Sequence, residues 1–151
     1  IIINDRNNER VNKISKEYKV KVFSDQNFYD LDVDIYAPCA LGSTLNPFTI
    51  NRLKCCIVAG AANNQLEDEL RDSDLLMKKG VLYAPDFLIN AGGLINVYSE
   101  LNGYDRDAAL NQTSDIYNTT LNIFKTSEKE KVSTHLTALK IAQQRINKNK
   151  K

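Results

Sequence analysis

Apolar positions recur along this chain with two periods, and the places where the period changes outline its elements. Ile1–Ile3 is a β-branched run closed by Asn4-Asp5, and Val11, Ile14 and Tyr18 follow at helical spacing. Val20, Val22 and Phe23 alternate as in a strand, and Val33 to Ala37 is another strand-like run, stopped by Pro38. Asn46-Pro47 predicts a helix start, with Asn as the cap and Pro in the first turn. Cys55 to Ala59 reads as a strand. Leu66 to Lys79 reads as a helix with Leu66, Leu70, Ser73 and Met77 on one face, ended by Gly80. Val81 to Ala84 is the last strand-like run. After a turn at Pro85-Asp86, three helices are expected, over Asn90–Leu101, Asp107–Lys125 and Ser133–Lys148, the last with Leu136, Leu139, Gln143 and Ile146 on one stripe. The polar tail Asn147–Lys151 is expected to fray.

Strands alternating with helices over short links predict an α/β domain with a parallel sheet and right-handed crossovers. A length of 151 residues suits one domain with a real core. The 42% hydrophobic and 26% charged residues are ordinary for a globular protein. A net charge of +1 gives no reason to expect nucleic acid or an anionic membrane as partner. No apolar run approaches the roughly 20 residues that span a bilayer. Three cysteines, two of them adjacent, make no disulfide framework, and one histidine with no Cys/His cluster argues against a metal centre. A reducing, cytoplasmic setting is the expectation. The chain opens on Ile1-Ile2-Ile3 rather than Met, which reads as a piece of a longer protein.

Candidate chemistry gathers at strand ends, where open α/β sheets bind ligands. Asp5 closes the first run. It is either a turn residue or the acidic group that accepts hydrogen bonds from an adenosine ribose. Such an acid repels a 2′-phosphate and favours NAD over NADP, although Arg6 beside it is of the type that accepts one. The Gly-rich phosphate loop expected about 20 residues earlier is absent from this sequence. Ala37–Gly42, "APCALG", is either a strand-exit turn or a surface of small residues open to a flat ring, with Cys39 as a packing residue. Ala59–Gln65, "AGAANNQ", ends in amides suited to a ribose or carboxamide. With 17 asparagines in the chain, a helix cap is the competing reading. Asn90-Ala91-Gly92-Gly93 opens a helix. Helix propensity disfavours each glycine there by up to about 1 kcal/mol. Exposed amides at a helix start suit a carboxylate, a pyrophosphate or a nicotinamide, and close packing of a neighbouring strand is the competing reading.

Three long segments stand in order: "DIYAPCALG", "VAGAANNQL" and "YAPDFLINAGGLINVYSELNGYDRDAAL". With them the chain resembles the nucleotide-binding domain of the glutamate/leucine/phenylalanine/valine dehydrogenase family, its leucine-type members above all. The resemblance runs from Ile1 to "THLTALKIAQQRI". It implies a Rossmann-like, doubly wound, mostly parallel sheet lacking its first strand and Gly-rich loop and followed by C-terminal helices. Residues 1–125 would be a partial dinucleotide-binding domain and 126–151 a C-terminal helix and tail. The implied activity is NAD-dependent oxidative deamination of an apolar L-amino acid, leucine first, to the 2-oxo acid and ammonia. Phenylalanine, valine or glutamate would be the alternatives within the family, and a non-catalytic truncated binding or assembly module the alternative outside it.

The same resemblance assigns cofactor roles to Asp5, Cys39, Ala40, Asn63 and Asn90, and a second role to Asn90 at the substrate's amino-acid head group. Glutamate-specific members carry Ser seven residues after that Asn, where this chain has Val97. A valine offers a buried carboxylate no partner. Leu94 and Leu136 are the other expected pocket residues. No catalytic residue and no metal is expected in these 151 residues, because the family's catalytic lysines lie in an N-terminal domain. That missing domain is the expected partner. The intact protein is expected to be a homo-oligomer, and this chain alone inactive.

Overall fold

The computed structural model describes residues 1–25, 27–101 and 103–149. The first unit is β1 (Ile2–Ile3), α1 (Asn8–Tyr18) and β2 (Lys21–Val22), with β1 and β2 parallel. Asn7 caps α1 by accepting from the Arg10 amide at 3.0 Å. Asn4 Nδ2 donates to Phe23 O at 2.6 Å and extends the β1–β2 contact by one residue.

A second sheet carries the core. Its strands are β3 (Ile35–Tyr36), β4 (Ile57–Val58) and β5 (Leu82–Tyr83), in the order β3-β4-β5 and all parallel. The crossovers contain α2 (Pro47–Arg52) and α3 (Glu69–Lys78). Among the described residues no ladder joins β1-β2 to β3-β4-β5. Leu45, Ile50, Leu53, Val58, Leu66, Leu76, Val81 and Tyr83 are buried together between this sheet and its helices. By contrast Ile2 of β1, Val22 of β2 and Ile35 of β3 are exposed, while Ile3 and Tyr36 beside them are half-buried. Parallel sheets are ordinarily covered on both faces, so these strands have apolar surface to spare.

Local chemistry accounts for the helix ends. Asn46 Oδ1 accepts from the Phe48 and Thr49 amides at 3.1 Å, and Thr49 Oγ1 accepts from the Asn46 amide, a reciprocal cap with Pro47 in the first turn. Gly80 lies at φ +78° just past α3, and the Val81 amide reaches back to Leu76 O at 3.0 Å, so the glycine stop is as the sequence predicts. Arg52 grips Asp30 through Nε and Nη2 at 2.9 and 2.7 Å, which holds the Asp30 carboxyl below the usual carboxylate range.

Several expected boundaries move. α3 begins at Glu69 rather than Leu66, because Asp68 accepts from the Leu70 and Arg71 amides and Asp72 Oδ2 accepts from the Asp68 amide. Its buried residues are Asp72, Ser73 and Leu76, while Leu70 is exposed and Met77 marginally so. Pro85-Asp86 opens a short helix, α4 (Asp86–Ile89), rather than a simple turn, and α5 covers Gly92–Leu101. The single helix expected over 107–125 is two, α6 (Arg106–Ser114) and α7 (Ile116–Glu130), parted at Asp115. Asp115 lies at φ −71°, ψ −10°, and its Oδ1 accepts from Asn118 Nδ2 in the first turn of α7. α7 also runs through the expected domain boundary at 125/126.

The last helix, α8 (Thr134–Asn149), corrects two expectations. It continues through Asn147 to Asn149; Lys150 and Lys151 of the expected tail lie outside the described residues. Its buried residues are not the aliphatic stripe but Thr134, His135, Thr137 and Ala138, with Leu139 and Ile146 exposed. α8 packs on α3, α7 and β5, and its start is tied to β5 and α3 through hydroxyls: Thr134 Oγ1 donates to Tyr83 O at 2.6 Å, and Ser73 and Ser133 share a bond at 3.1 Å. Periodicity of aliphatic residues cannot register a face buried through hydrogen bonds.

Candidate functional site

Because β3, β4 and β5 are parallel, their exit loops emerge at one edge of the sheet. These loops are the three segments singled out in the sequence: Ala37–Gly42, Ala59–Gln65 and the stretch through α4 to Gly93. The first two are pressed backbone to backbone. The Ala62 amide donates to Pro38 O at 3.0 Å, the Ser43 amide to Asn64 O at 2.7 Å, and the Ala61 amide to Cys39 Sγ at 3.4 Å. A Cβ on Gly60 would lie 2.1 Å from Pro38 O, and one on Gly42 would lie 2.8 Å from Asn63 O. Glycine at both positions is therefore what allows the loops to meet. Cys39 is exposed and serves as a thiol acceptor between loops, and Ala40 beside it is also exposed.

The third loop joins through its amide. Asn90 caps α4 at its C-terminus, and its Nδ2 donates to Asn63 Oδ1 at 2.6 Å and to Ala61 O at 3.3 Å. Two residues picked 27 positions apart in the sequence are thus one hydrogen-bonded pair. Asn63 is exposed and Asn90 half-buried, so the pair lies at the protein surface, at the carboxyl edge of the sheet. The adjoining glycines differ from each other. Gly92 packs against Thr113, whose methyl would stand 3.4 Å from an added Cβ, so a protein contact explains this one. Gly93 has no atom within 4 Å of an added Cβ and opens the α5 N-terminus to solvent.

Beneath this surface Tyr83 and Asp86 are both buried, and the Tyr83 hydroxyl donates to Asp86 Oδ1 at 2.9 Å. Burial, and then the Asp86 charge, raise the Tyr83 hydroxyl far above an ordinary tyrosine. Neither this pair nor the complete burial of Gln65 was read from the sequence. The only signals were a Tyr three residues before an Asp, and a Gln at the end of a run of small residues.

Other expected residues lie apart from the Asn pair. Asp5 is exposed on the loop after β1, in the other sheet, and its Oδ1 accepts from the Asn7 amide at 2.8 Å, so it does act as a turn residue. Leu94 and Val97 are 73% and 57% exposed and share one face of α5 with Tyr98 and Leu101. Leu136 sits on α8, which packs on α3, α7 and β5, whereas α5 packs on α6. Among the described residues no group of three or more His, Cys, Asp or Glu side chains could hold a metal, and no helix is long and apolar enough to cross a membrane.

Neutral amides, an open glycine and a helix start together form a surface of hydrogen-bonding groups at the carboxyl edge of this sheet. The chain is 46% identical over all 151 residues to an L-tryptophan dehydrogenase of Nostoc punctiforme, spanning 43% of that protein's length. It is 42% identical over 146 residues to the leucine dehydrogenase of Thermoactinomyces intermedius, covering 97% of this chain and 40% of that protein. The crystal structure of L-tryptophan dehydrogenase from Nostoc punctiforme superposes with a TM-score of 0.92 at 46% identity, over 97% of this chain and 44% of that one. The chain thus spans less than half the length of these relatives. Residues 2–151 match the family model described as Glutamate/Leucine/Phenylalanine/Valine dehydrogenase, and the chain belongs to that family.

Proposed function

We propose that this chain is the cofactor-binding part of an NAD-dependent amino-acid dehydrogenase that oxidatively deaminates an apolar L-amino acid to the 2-oxo acid and ammonia. The observation that carries this reading is the Asn63–Asn90 hydrogen bond at 2.6 Å beside the open Gly93. NAD would take up the hydride from the substrate α-carbon. Asn90 holds the nicotinamide side and the substrate head group, Asn63 the neighbouring ribose, and Cys39 and Ala40 line the cleft. Asp5 takes the adenosine ribose and disfavours a 2′-phosphate. The lysines that polarise substrate and activate water belong to another domain of the same protein, with substrate between the two domains. The split between the two parallel sheets, with Ile2 and Ile35 exposed, fits one further strand between them. The intact protein would be a cytoplasmic homo-oligomer.

The substrate side chain is read from α5. Leu94, Val97 and, more distantly, Leu136 offer apolar surface and no group to pair with a carboxylate. A branched-chain substrate such as leucine suits Val97. An aromatic one is equally compatible with an exposed apolar face, and the L-tryptophan dehydrogenase relative makes it the second reading.

Calorimetric titration of the full-length protein with NAD tests the cofactor reading. Saturable binding is expected, weakened about tenfold or more by Asn90→Ala, which removes the bond to Asn63 as well as the cofactor contact. An unchanged Kd in the variant removes Asn90 from the site. Activity with L-leucine, L-valine, L-phenylalanine, L-tryptophan and L-glutamate tests the pocket. Val97→Ser is expected to raise the ratio of kcat/KM for glutamate over leucine by about tenfold, since a hydroxyl can donate to the side-chain carboxylate. A wild-type preference for glutamate would overturn the role given to Val97.

A further inference from the structure

We infer that Gln65 is a positioning residue for the cofactor loop, acting through Asn63; this rests on the cofactor reading proposed above. Gln65 is wholly buried, which is unusual for an uncharged amide in a loop. Its Nε2 donates to Gly60 O at 2.7 Å and to Ala62 O at 2.9 Å. Both partners are carbonyls, so the side-chain nitrogen must face them; the flipped amide would set oxygen against two oxygens. The two bonds draw the chain from Gly60 to Gln65 around one side chain, with Asn63 at the outside of the turn. Asn64 stands in the left-handed region at φ +51°, a conformation non-glycine residues adopt at a cost and that surrounding bonds must maintain. The Gln65 carbonyl also accepts from the Leu45 amide at 3.0 Å, which ties the turn to the core below. Gly60 and Gly42 let the neighbouring loop close over the same turn. The carboxamide that meets Asn90 is thus aimed by a buried amide that never reaches the cleft.

A double-mutant cycle on NAD affinity in the full-length protein tests this. Gln65→Met keeps a similar volume and removes both donors. It is expected to weaken NAD binding about tenfold in the wild-type background and to have little further effect in Asn63→Ala, because its action runs through Asn63. A general loss of stability would give additive effects. Should Gln65→Met not fold, Gln65→Glu gives a second test. An ionised carboxylate against two carbonyls repels them, and the protonated form restores one donor. NAD affinity of Gln65→Glu should therefore recover as pH is lowered, relative to wild type at the same pH. Additive effects in the cycle, an unchanged Kd for Gln65→Met, or a wild-type-like pH profile for Gln65→Glu each overturn the inference and leave the cofactor reading standing. Absence of NAD binding by wild type, or an Asn63→Ala variant that binds normally, overturns the cofactor reading and this inference with it.

Discussion

Gly60→Ala is expected to destabilise the fold by about 3 kcal/mol or more, a large cost for one added methyl group. The new Cβ would stand 2.1 Å from Pro38 O and 2.5 Å from Pro38 N. Both are backbone atoms, so no rotamer change can relieve the clash. The two exit loops must part by roughly 1 Å, and a separation of that size breaks well-aligned hydrogen bonds. At risk are the Ala62 amide to Pro38 O bond at 3.0 Å and the Gln65 Nε2 bond to Gly60 O at 2.7 Å. Stability and site should therefore fall together: the urea midpoint drops, and the protein that remains folded binds NAD more weakly. An unfolding free energy within about 0.5 kcal/mol of wild type would mean that Pro38 yields easily and that the loops are not wedged.

Leu76→Ala is expected to cost about 3 kcal/mol, within the roughly 2–5 kcal/mol range for emptying a buried leucine site. Leu76 is fully buried on α3, in the cluster with Leu45, Ile50, Val58 and Tyr83. Its backbone carbonyl accepts from the Val81 amide in the turn after the helix, so the residue also joins α3 to β5. The cavity would open beneath the sheet rather than at its carboxyl edge. NAD affinity of the folded variant should stay near wild type, in contrast with Gly60→Ala. Equilibrium unfolding checks the first part and titration at a temperature well below Tm the second. A loss below about 1 kcal/mol would mean the surrounding side chains collapse into the space. A large fall in affinity would mean that core and cleft are not separable.

Much of the fold was legible because the signals were local. Strand positions, the Asn46-Pro47 cap and the Gly80 stop each depend on a few neighbouring residues whose steric and hydrogen-bonding preferences act over one turn. Errors fell where distant residues decide. The buried face of α3 carries Asp72 and Ser73, and that of α8 carries hydroxyls bonded to β5 and α3; aliphatic spacing says nothing about either. The helix break at Asp115 was missed because an acidic residue in a polar stretch reads equally well as helix surface.

For the candidate site, residue types at strand ends marked the stretches Ala59–Gln65 and Asn90–Gly93, since small residues and neutral amides suit a ring and a ribose, and the family resemblance narrowed the first of them to Asn63. By itself, then, the amino-acid order determined the alternation of elements, the parallel strands and the short segments that gather at one edge. Only the tertiary structure decided that Asn63 and Asn90 bond to each other, that Gly92 is explained by Thr113 while Gly93 is open, and that Gly60 exists to admit Pro38. The reason is physical. Turns and caps are short-range and repeat in any context, whereas a hydrogen bond or a backbone wedge between residues some 20 to 30 positions apart exists only once the sheet has brought them within contact.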